Sequence, residues 1–159
     1  MATPLGFMRQ RPIRTATPDK DLRLIRIKTD LIKAGIARYN LWLPETKYLV
    51  NLLDNDETVL AAVYGHHPNG RGALFLTQKK VLFIDKKPMF LHFDDINFFV
   101  INSVTFTKSW HYGVVTVHSR SGDFIIHTLN EVAALNFVDT LDSILEINQM
   151  SRSSDYQHA

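Results

Sequence analysis

Two apolar strands meet at a polar, basic turn in Leu76-Thr77-Gln78-Lys79-Lys80-Val81-Leu82-Phe83. This hairpin lies inside a run of short apolar segments from Val59 to Leu129, which are separated by residues that favour turns. One amphipathic helix follows the run. Several short strands in succession are typical of an antiparallel sandwich or barrel. The order of the elements therefore predicts a mainly β fold, a barrel-like sheet closed by a single C-terminal helix.

The alternation of apolar and polar residues predicts seven antiparallel strands. They span residues 58–66, 73–77, 81–85, 89–93, 96–107, 114–119 and 124–129. Pro68-Asn69-Gly70-Arg71 is the strongest turn signal, because Asn-Gly accepts the positive φ angles of a tight hairpin. Lys86-Lys87-Pro88 predicts the turn after the third strand. Asp94-Asp95 is expected to interrupt the chain between the fourth strand and the fifth.

The final hairpin allows a prediction of register. A two-residue turn at Ser121-Gly122 would pair His118 with Ile125 and Thr116 with His127. Four apolar residues then share the core face: Val115, Val117, Phe124 and Ile126. On the other face His118 and His127 become diagonal neighbours, with their backbones roughly 7 Å apart.

Two neighbouring imidazoles and a third group could ligate zinc or nickel. The chain has seven histidines, but it lacks a metal motif of fixed spacing such as H-E-x-x-H. Surface histidines whose charge responds to pH near roughly 6 are the favoured interpretation. The sequence therefore predicts no metal and no cofactor.

Helical segments are predicted on both sides of the strands. Thr17-Pro18-Asp19 carries the cap, the first-position proline and the acidic first turn of a helix that runs to about Ala34. A short helix follows over residues 44–53. Asn130 caps the closing helix, which extends to about Ile147. The apolar stripe of that helix consists of Ala134, Phe137, Val138, Leu141, Ile144 and Leu145.

The expected organisation is a flexible basic arm (1–16), a helical segment (17–54), a β domain (55–150) and a disordered tail (151–159). A chain of 159 residues, 45% of them apolar, fits one domain with a real core. There is no cysteine, which excludes disulfides and thiolate metal sites. A cytoplasmic location, with peripheral membrane contact as an alternative, is expected. No apolar stretch approaches the roughly 18 residues of a membrane span, and the N-terminus lacks the apolar core of a signal peptide.

The net charge of +2 is unevenly distributed. Residues 1–38 hold nine Lys/Arg against three Asp, whereas residues 39–159 hold nine against thirteen acidic residues. Arg9, Arg11 and Arg14 in the arm, with Arg23, Arg26 and Lys33 of the first helix, could rest on anionic lipid, where each cation contributes about 1 kcal/mol. Nucleic acid is not expected, because aromatic residues do not alternate with these cations. The wide apolar face of the first helix favours packing on the β domain or on a second subunit.

No catalytic motif is present. The chain lacks a G-x-S-x-G elbow, a phosphate-binding P-loop and a dinucleotide-binding glycine fingerprint. Asp94 and Asp95 are adjacent, so on a strand they would face opposite sides of the sheet and could not share a substrate. The sequence therefore predicts a protein without enzymatic activity.

Residues 57–147, with seven strands and a closing helix, resemble the pleckstrin-homology superfold. The resemblance is closer to bacterial pleckstrin-homology-like domains of the YokE-like kind. It rests on the first strand Glu57-Thr58-Val59-Leu60, on the Leu76–Phe83 hairpin and on Leu91-His92-Phe93-Asp94-Asp95-Ile96. Lys80 stands where these domains usually carry arginine. Residues 1–43 fall outside the resemblance.

The resemblance implies that the loops after strands one, three and six frame a ligand pocket. Here they carry Arg71, Lys86, Lys87 and Arg120, four cations that could hold a phosphate or an anionic surface. The alternative is that these turns are simply polar and solvated. Eukaryotic relatives commonly bind phosphoinositides through a basic first loop. The equivalent segment here, 65–72, holds a single arginine, which argues against that activity.

The predicted function is that of a non-catalytic binding or assembly module. Its expected partner is another protein or a second copy of the chain, because an open barrel leaves sheet edges, such as the long strand Ile96–Thr107, that can recruit a further strand. Peripheral attachment to anionic membrane lipid, through the basic arm and the loop rim, is the alternative.

Overall fold

The computed structural model describes the backbone of residues 18–157 and the side chains of residues 19–153. Three α-helices are present: α1 (Pro18–Lys33), α2 (Pro44–Leu49) and α3 (Glu131–Gln157). The strands are β1 (Val59–His67), β2 (Gly70–Thr77), β3 (Lys80–Lys87), β4 (Phe90–Asn97), β5 (Ile101–Lys108), β6 (Gly113–Ser119) and β7 (Gly122–Thr128). Short 3-10 helices occupy Arg38–Trp42 and Phe98–Val100. None of the described helices combines the length and the apolar character needed to cross a bilayer.

The seven strands form one antiparallel sheet in the order β4-β3-β2-β1-β7-β6-β5. The β1–β7 junction is narrow, since its register is the single pair His66 and His127. Gly65 makes this approach possible, because a Cβ atom there would overlap the carbonyl oxygen of His127. Strands β4 and β5 form the two edges of the sheet. The predicted seven-stranded antiparallel fold with a C-terminal helix is confirmed.

The inner face of the curved sheet packs on α3. Phe137 and Leu141 of this helix are fully buried against β-strand residues such as Val63, Leu74 and Val117. This apolar plug was predicted from the stripe along the helix. Helix α3 continues to Gln157, beyond the predicted end near Ile147.

A second apolar layer covers the outer face of β1 to β3. Ile27 and Leu31 of α1 and Leu49 of α2 are fully buried there, in one cluster with Ala62 and Phe75 of the sheet. Helix α1 therefore packs on the strands of its own chain, the first of the two partners that its wide apolar face predicted. The central strands are consequently buried on both sides.

The predicted break between the fourth and fifth strands was wrong. Asp94 and Asp95 lie inside β4, opposite Phe83 and Leu82. The chain turns three residues later, because the side chain of Asn97 accepts a hydrogen bond from the Phe99 amide (2.9 Å) and caps the 3-10 helix. The long strand predicted over 96–107 is therefore divided between β4 and β5.

The predicted register of the last hairpin was also wrong, by two residues. The turn consists of Arg120 and Ser121, so His118 lies opposite Asp123, and His127 lies opposite Val114. Gly122 sits at the first paired position with φ of 128°, a backbone conformation that favours glycine. A shift of two residues preserves the faces, so the predicted core positions stay in the core. It separates His118 from His127, which are not diagonal neighbours.

Two other predicted turns are displaced. Lys86 and Lys87 belong to β3, and the turn into β4 is Pro88-Met89. The first hairpin turns at Pro68-Asn69, with Gly70 already paired with His67. In both hairpins the paired strands extend further than the apolar residues alone indicated, because backbone pairing continues through polar residues.

Loss of the α3 plug is expected to destabilise the domain. Replacement Leu141→Ala should lower the free energy of unfolding by about 2–5 kcal/mol, because the sheet cannot collapse fully onto the vacated space. Leu129→Ala is the matched control, since Leu129 is 85% exposed, and it should change stability by less than about 0.5 kcal/mol. Urea denaturation of both variants measures the difference. Equal effects would contradict the proposed role of the helix.

Candidate functional site: the mouth of the barrel

Core-facing positions change from apolar to polar toward one end of the sheet. Alternate residues along β1 are Ala61, Val63, Gly65 and His67, and those along β3 are Val81, Phe83 and Asp85. On β4 the same face carries His92 and Asp94 before the buried Ile96. Because the pairing places these polar positions beside one another, the barrel has a polar end at the β1–β2 and β3–β4 turns. We call this end the mouth.

A cavity of about 340 Å³ opens at the mouth. Its lining consists of His67, Pro68, Asn69, Phe83, Asp85, Phe90, His92, Asp94, Asp123, Phe124 and Ile125. Three carboxylates, two imidazoles and three phenyl rings therefore surround one space. Among the described side chains, residues 19–153, no lysine or arginine belongs to this lining. The mouth is accordingly an acidic and aromatic pocket.

Asp85 is the buried centre of the site. Its side chain is 2% exposed, and its Oδ2 atom lies 3.1 Å from His67 Nε2 and 3.1 Å from Lys87 Nζ. Its Oδ1 atom has no hydrogen-bond partner among the described residues. A buried carboxylate oxygen without a partner is costly, so this atom marks unused binding capacity at the mouth.

Lys87 bridges Asp85 to the first turn. Its ammonium donates to the carbonyl oxygen of Asn69 (2.7 Å) as well as to Asp85, and it lies 5.4 Å from the centre of the Phe90 ring. The turn allows this approach at Gly70, where a Cβ atom would stand 3.1 Å from the ammonium.

The rest of the wall combines imidazole, carboxylate and phenyl groups. His92 Nε2 lies 2.7 Å from Asp94 Oδ2, and both side chains are partly exposed. The Phe83 ring meets the His67 ring edge-on at 5.0 Å and lies 5.7 Å from the Phe124 ring. These rings give the pocket an apolar side against which an aliphatic or aromatic group can pack.

The four cations predicted to share a rim are dispersed. Arg71 lines a different cavity, together with Tyr39 and His127. Lys86 points away from Asp85 and donates to the Lys87 carbonyl oxygen (3.3 Å). Arg120 lines a cavity beside the C-terminal part of α3. Lys87 alone reaches a residue of the mouth, and the binding roles assigned to all four stay predictions.

The remaining sequence-based candidates are three arginines of the arm and two histidines. Arg9, Arg11 and Arg14 are outside the described residues. His118 Nδ1 lies 3.0 Å from Asp123 and its Nε2 lies 3.2 Å from Thr105 Oγ1. His127 instead lies against Tyr112, with 5.0 Å between the ring centres. Among the side chains of residues 19–153, no cluster of three His, Asp or Glu residues could hold a metal ion.

Glu45 is a buried carboxyl on the outer side of β3. Desolvation raises its pKa above the ordinary value, and hydrogen bonds from its own and the Lys86 backbone amides, with the charge of Arg71, oppose the shift in part. Helix α2 therefore holds an acidic group beneath the same strand end that carries Asp85.

A family model described as Bacterial PH domain matches residues 53–151, which is more than half of the chain of 159 residues. The chain is a member of this family. The predicted resemblance to bacterial pleckstrin-homology domains is thereby confirmed, while the YokE-like subgroup stays a prediction. The comparison with curated proteins gives no match.

Solved structures that are similar to this bacterial PH domain include the following two. One is a DUF1696 family protein with a pleckstrin-homology domain from Shewanella loihica PV-4, at 11% identity and a TM-score of 0.46, with 69% of this chain and 98% of that chain covered. The other is the N-terminal PH domain of Vps36, at 14% identity and a TM-score of 0.45, with 62% and 86% of the two chains covered.

The raised pKa of Glu45 gives a testable pH dependence. Burial penalises the charged form, so the folded state loses stability as pH rises from the unfolded pKa through the folded pKa. Glu45→Gln removes this loss. At pH 7 the variant should have a higher free energy of unfolding than the unmodified domain. At about pH 3 this difference should be smaller, because the carboxyl is then protonated in both the folded and the unfolded state. Urea denaturation at the two pH values measures the change.

Asp56→Asn supplies a control of opposite sign. A hydrogen bond from Lys79 lowers the pKa of the Asp56 carboxyl, so its contribution is present at neutral pH and disappears as pH falls. At pH 7 this variant should be less stable than the unmodified domain. In acid the two should be equally stable. The same pH response in both variants would contradict the assignment for Glu45.

Proposed function

We propose that this bacterial PH domain is a non-catalytic module that binds a protein chain at the mouth and along the neighbouring edge strand β4. The observation that carries the proposal is the acidic and aromatic lining of the mouth cavity. An anionic lipid head group entering there would meet three lining carboxylates. The cation beside the lining, Lys87, already donates to Asp85 and to the Asn69 carbonyl oxygen. Like charges in a confined site disfavour such a ligand.

The edge strand β4 supports a protein partner. Met89, Phe90, Leu91 and Phe93 are exposed along it or at the turn before it, and β4 has a sheet neighbour on one side only. An unpaired, apolar edge is a surface on which an extended peptide adds a strand. The edge strand β5 differs, because its exposed residues are mainly polar, as Asn102, Thr105 and Thr107 illustrate.

The composition of the mouth supports a role without catalysis. His67 and His92 each lie beside a carboxylate, an arrangement that orients general bases in enzymes. In the part of the chain that the structure describes, however, no serine, threonine, cysteine or lysine lines the cavity where such a base could activate it. The His–Asp pairs serve binding in this proposal.

Arg23 and Arg26 of α1 give little support to attachment on a lipid surface. Arg23 donates to the Leu53 carbonyl oxygen, and Arg26 donates to the carbonyl oxygens of Asn55 (2.7 Å) and Glu57 (3.0 Å). These two arginines therefore hold the helix on the segment that precedes β1. Lipid attachment would depend on the arm, residues 1–16, and on the exposed Lys20 and Lys33 of α1.

Selection of a random peptide library on the full chain tests the proposal. Selected peptides should bind the unmodified domain and the control Thr107→Glu on the β5 edge. Binding should weaken by about tenfold or more in Phe93→Glu, because a charge on the β4 edge opposes strand addition. Fluorescence anisotropy of a labelled peptide measures both affinities.

Vesicle sedimentation distinguishes the lipid alternative. Vesicles of phosphatidylcholine with phosphatidylserine should retain no more domain than vesicles of phosphatidylcholine alone at low salt. Retention that requires the anionic lipid and disappears on deletion of residues 1–16 would contradict the proposal. Light scattering at high salt shows whether the bound chain is a second copy, since apolar association survives screening of charge.

A further inference from the structure

We propose that the mouth cavity recognises a cationic group, an ammonium or a guanidinium, and that the ammonium of Lys87 is an internal stand-in for it. This inference deepens the proposed function, because it names the chemistry of the partner side chain that enters the mouth. Its evidence is the set of contacts around Lys87 and the unused capacity of Asp85.

The surroundings of the Lys87 ammonium form a cradle for a cation. A carboxylate oxygen of Asp85 lies at 3.1 Å, the carbonyl oxygen of Asn69 lies at 2.7 Å, and the centre of the Phe90 ring lies at 5.4 Å. A carboxylate, a carbonyl and an aromatic face are the groups with which protonated amines interact most favourably. A cation from another molecule could make the same three contacts.

The cradle retains acceptor capacity beyond what Lys87 uses. The Oδ1 atom of Asp85 has no partner among the described residues, although the side chain is almost fully buried. A guanidinium that displaces the Lys87 ammonium can donate to both oxygens of this carboxylate in the bidentate geometry typical of arginine. Lys87 is free to swing outward, because its side chain is 40% exposed.

The outer wall of the cavity suits the rest of a basic side chain. Asp94 and Asp123 add negative charge at the rim, which attracts a cation from solution. The rings of Phe83 and Phe124 lie side by side within the lining. The aliphatic stem of lysine or arginine packs well on such a surface while its charged end reaches a carboxylate.

An NMR titration of the full chain labelled with nitrogen-15 tests the inference. N-acetyl-arginine amide should shift the amide signals of Asn69, Phe90 and Phe124 in a saturable manner. N-acetyl-norleucine amide, which has a stem of similar length without charge, should leave them unchanged, and so should inorganic phosphate. Saturable shifts with either of these two at the mouth would overturn the inference.

Two neighbouring lysines provide a matched pair of variants. Lys87→Met removes the internal competitor and should tighten binding of N-acetyl-arginine amide by about tenfold if Lys87 fills the cradle for nine-tenths of the time. Lys86→Met should leave the affinity unchanged, because Lys86 donates to a backbone carbonyl away from the cavity. Unchanged or weaker binding in Lys87→Met would overturn the inference.

Replacement of the acidic groups should have the opposite effect. Asp85→Asn should abolish binding of N-acetyl-arginine amide, and circular dichroism shows whether that variant folds. Asp94→Asn lies at the partly exposed rim and should weaken binding without unfolding the domain. If Asp85→Asn does not fold, Asp94→Asn and Lys87→Met decide the question, and unchanged affinity in Asp94→Asn would overturn the inference.

The results separate this inference from the proposed function. Library peptides that bind along β4 without any basic residue would sustain the protein-binding function and overturn the cationic specificity. Binding of N-acetyl-arginine amide at the mouth, with no peptide selected from the library, would sustain the cationic specificity and overturn protein binding as the function.

Discussion

Burial of β1 to β3 on both faces is the constraint on which the rest of the structure depends. The inner face packs on α3, and the outer face packs on α1 and α2. Both layers require apolar residues at successive positions, which explains the almost continuous burial of Leu74, Phe75 and Leu76 in β2. Polar groups in these strands are confined to their ends, or they must find partners in the interior.

Two buried carboxylates at opposite ends of the sheet differ in how fully they are supplied with hydrogen-bond partners. Just before β1, Glu57 accepts hydrogen bonds on both oxygens, from Thr77 Oγ1 (2.6 Å) and from the Asp54 amide (3.0 Å). At the mouth, Asp85 receives two donors on one oxygen and none from the described residues on the other. The first carboxylate is fully used in holding the fold together, whereas the second has capacity for a ligand.

Sequence reasoning located the strands better than the site. It selected the lysines and arginines of the loops as binding candidates, because turns are readily recognised and the resemblance places ligands beside them. The residues that form the mouth, Asp85 with His67 and His92, were missed as a group. A signal was present in the sequence, since all three occupy core-facing positions of strands whose other core-facing residues are mainly apolar. A polar residue in a core-facing position requires a partner, and the identity of that partner depends on which strands are neighbours.

The sequence by itself determined the number of strands, the core face of the last hairpin and the helix that closes the barrel, because these follow from periodicity within short segments. Tertiary structure alone decided which polar residues meet. Pairing placed His67, Asp85 and His92 around one cavity and sent Arg120 toward the C-terminal part of α3. Register and turn position decided whether His118 and His127 are neighbours. A shift of two residues leaves every residue on its face of the sheet, but it separates His118 from His127. Contacts between distant segments depend on the geometry of the whole sheet, which local periodicity does not encode.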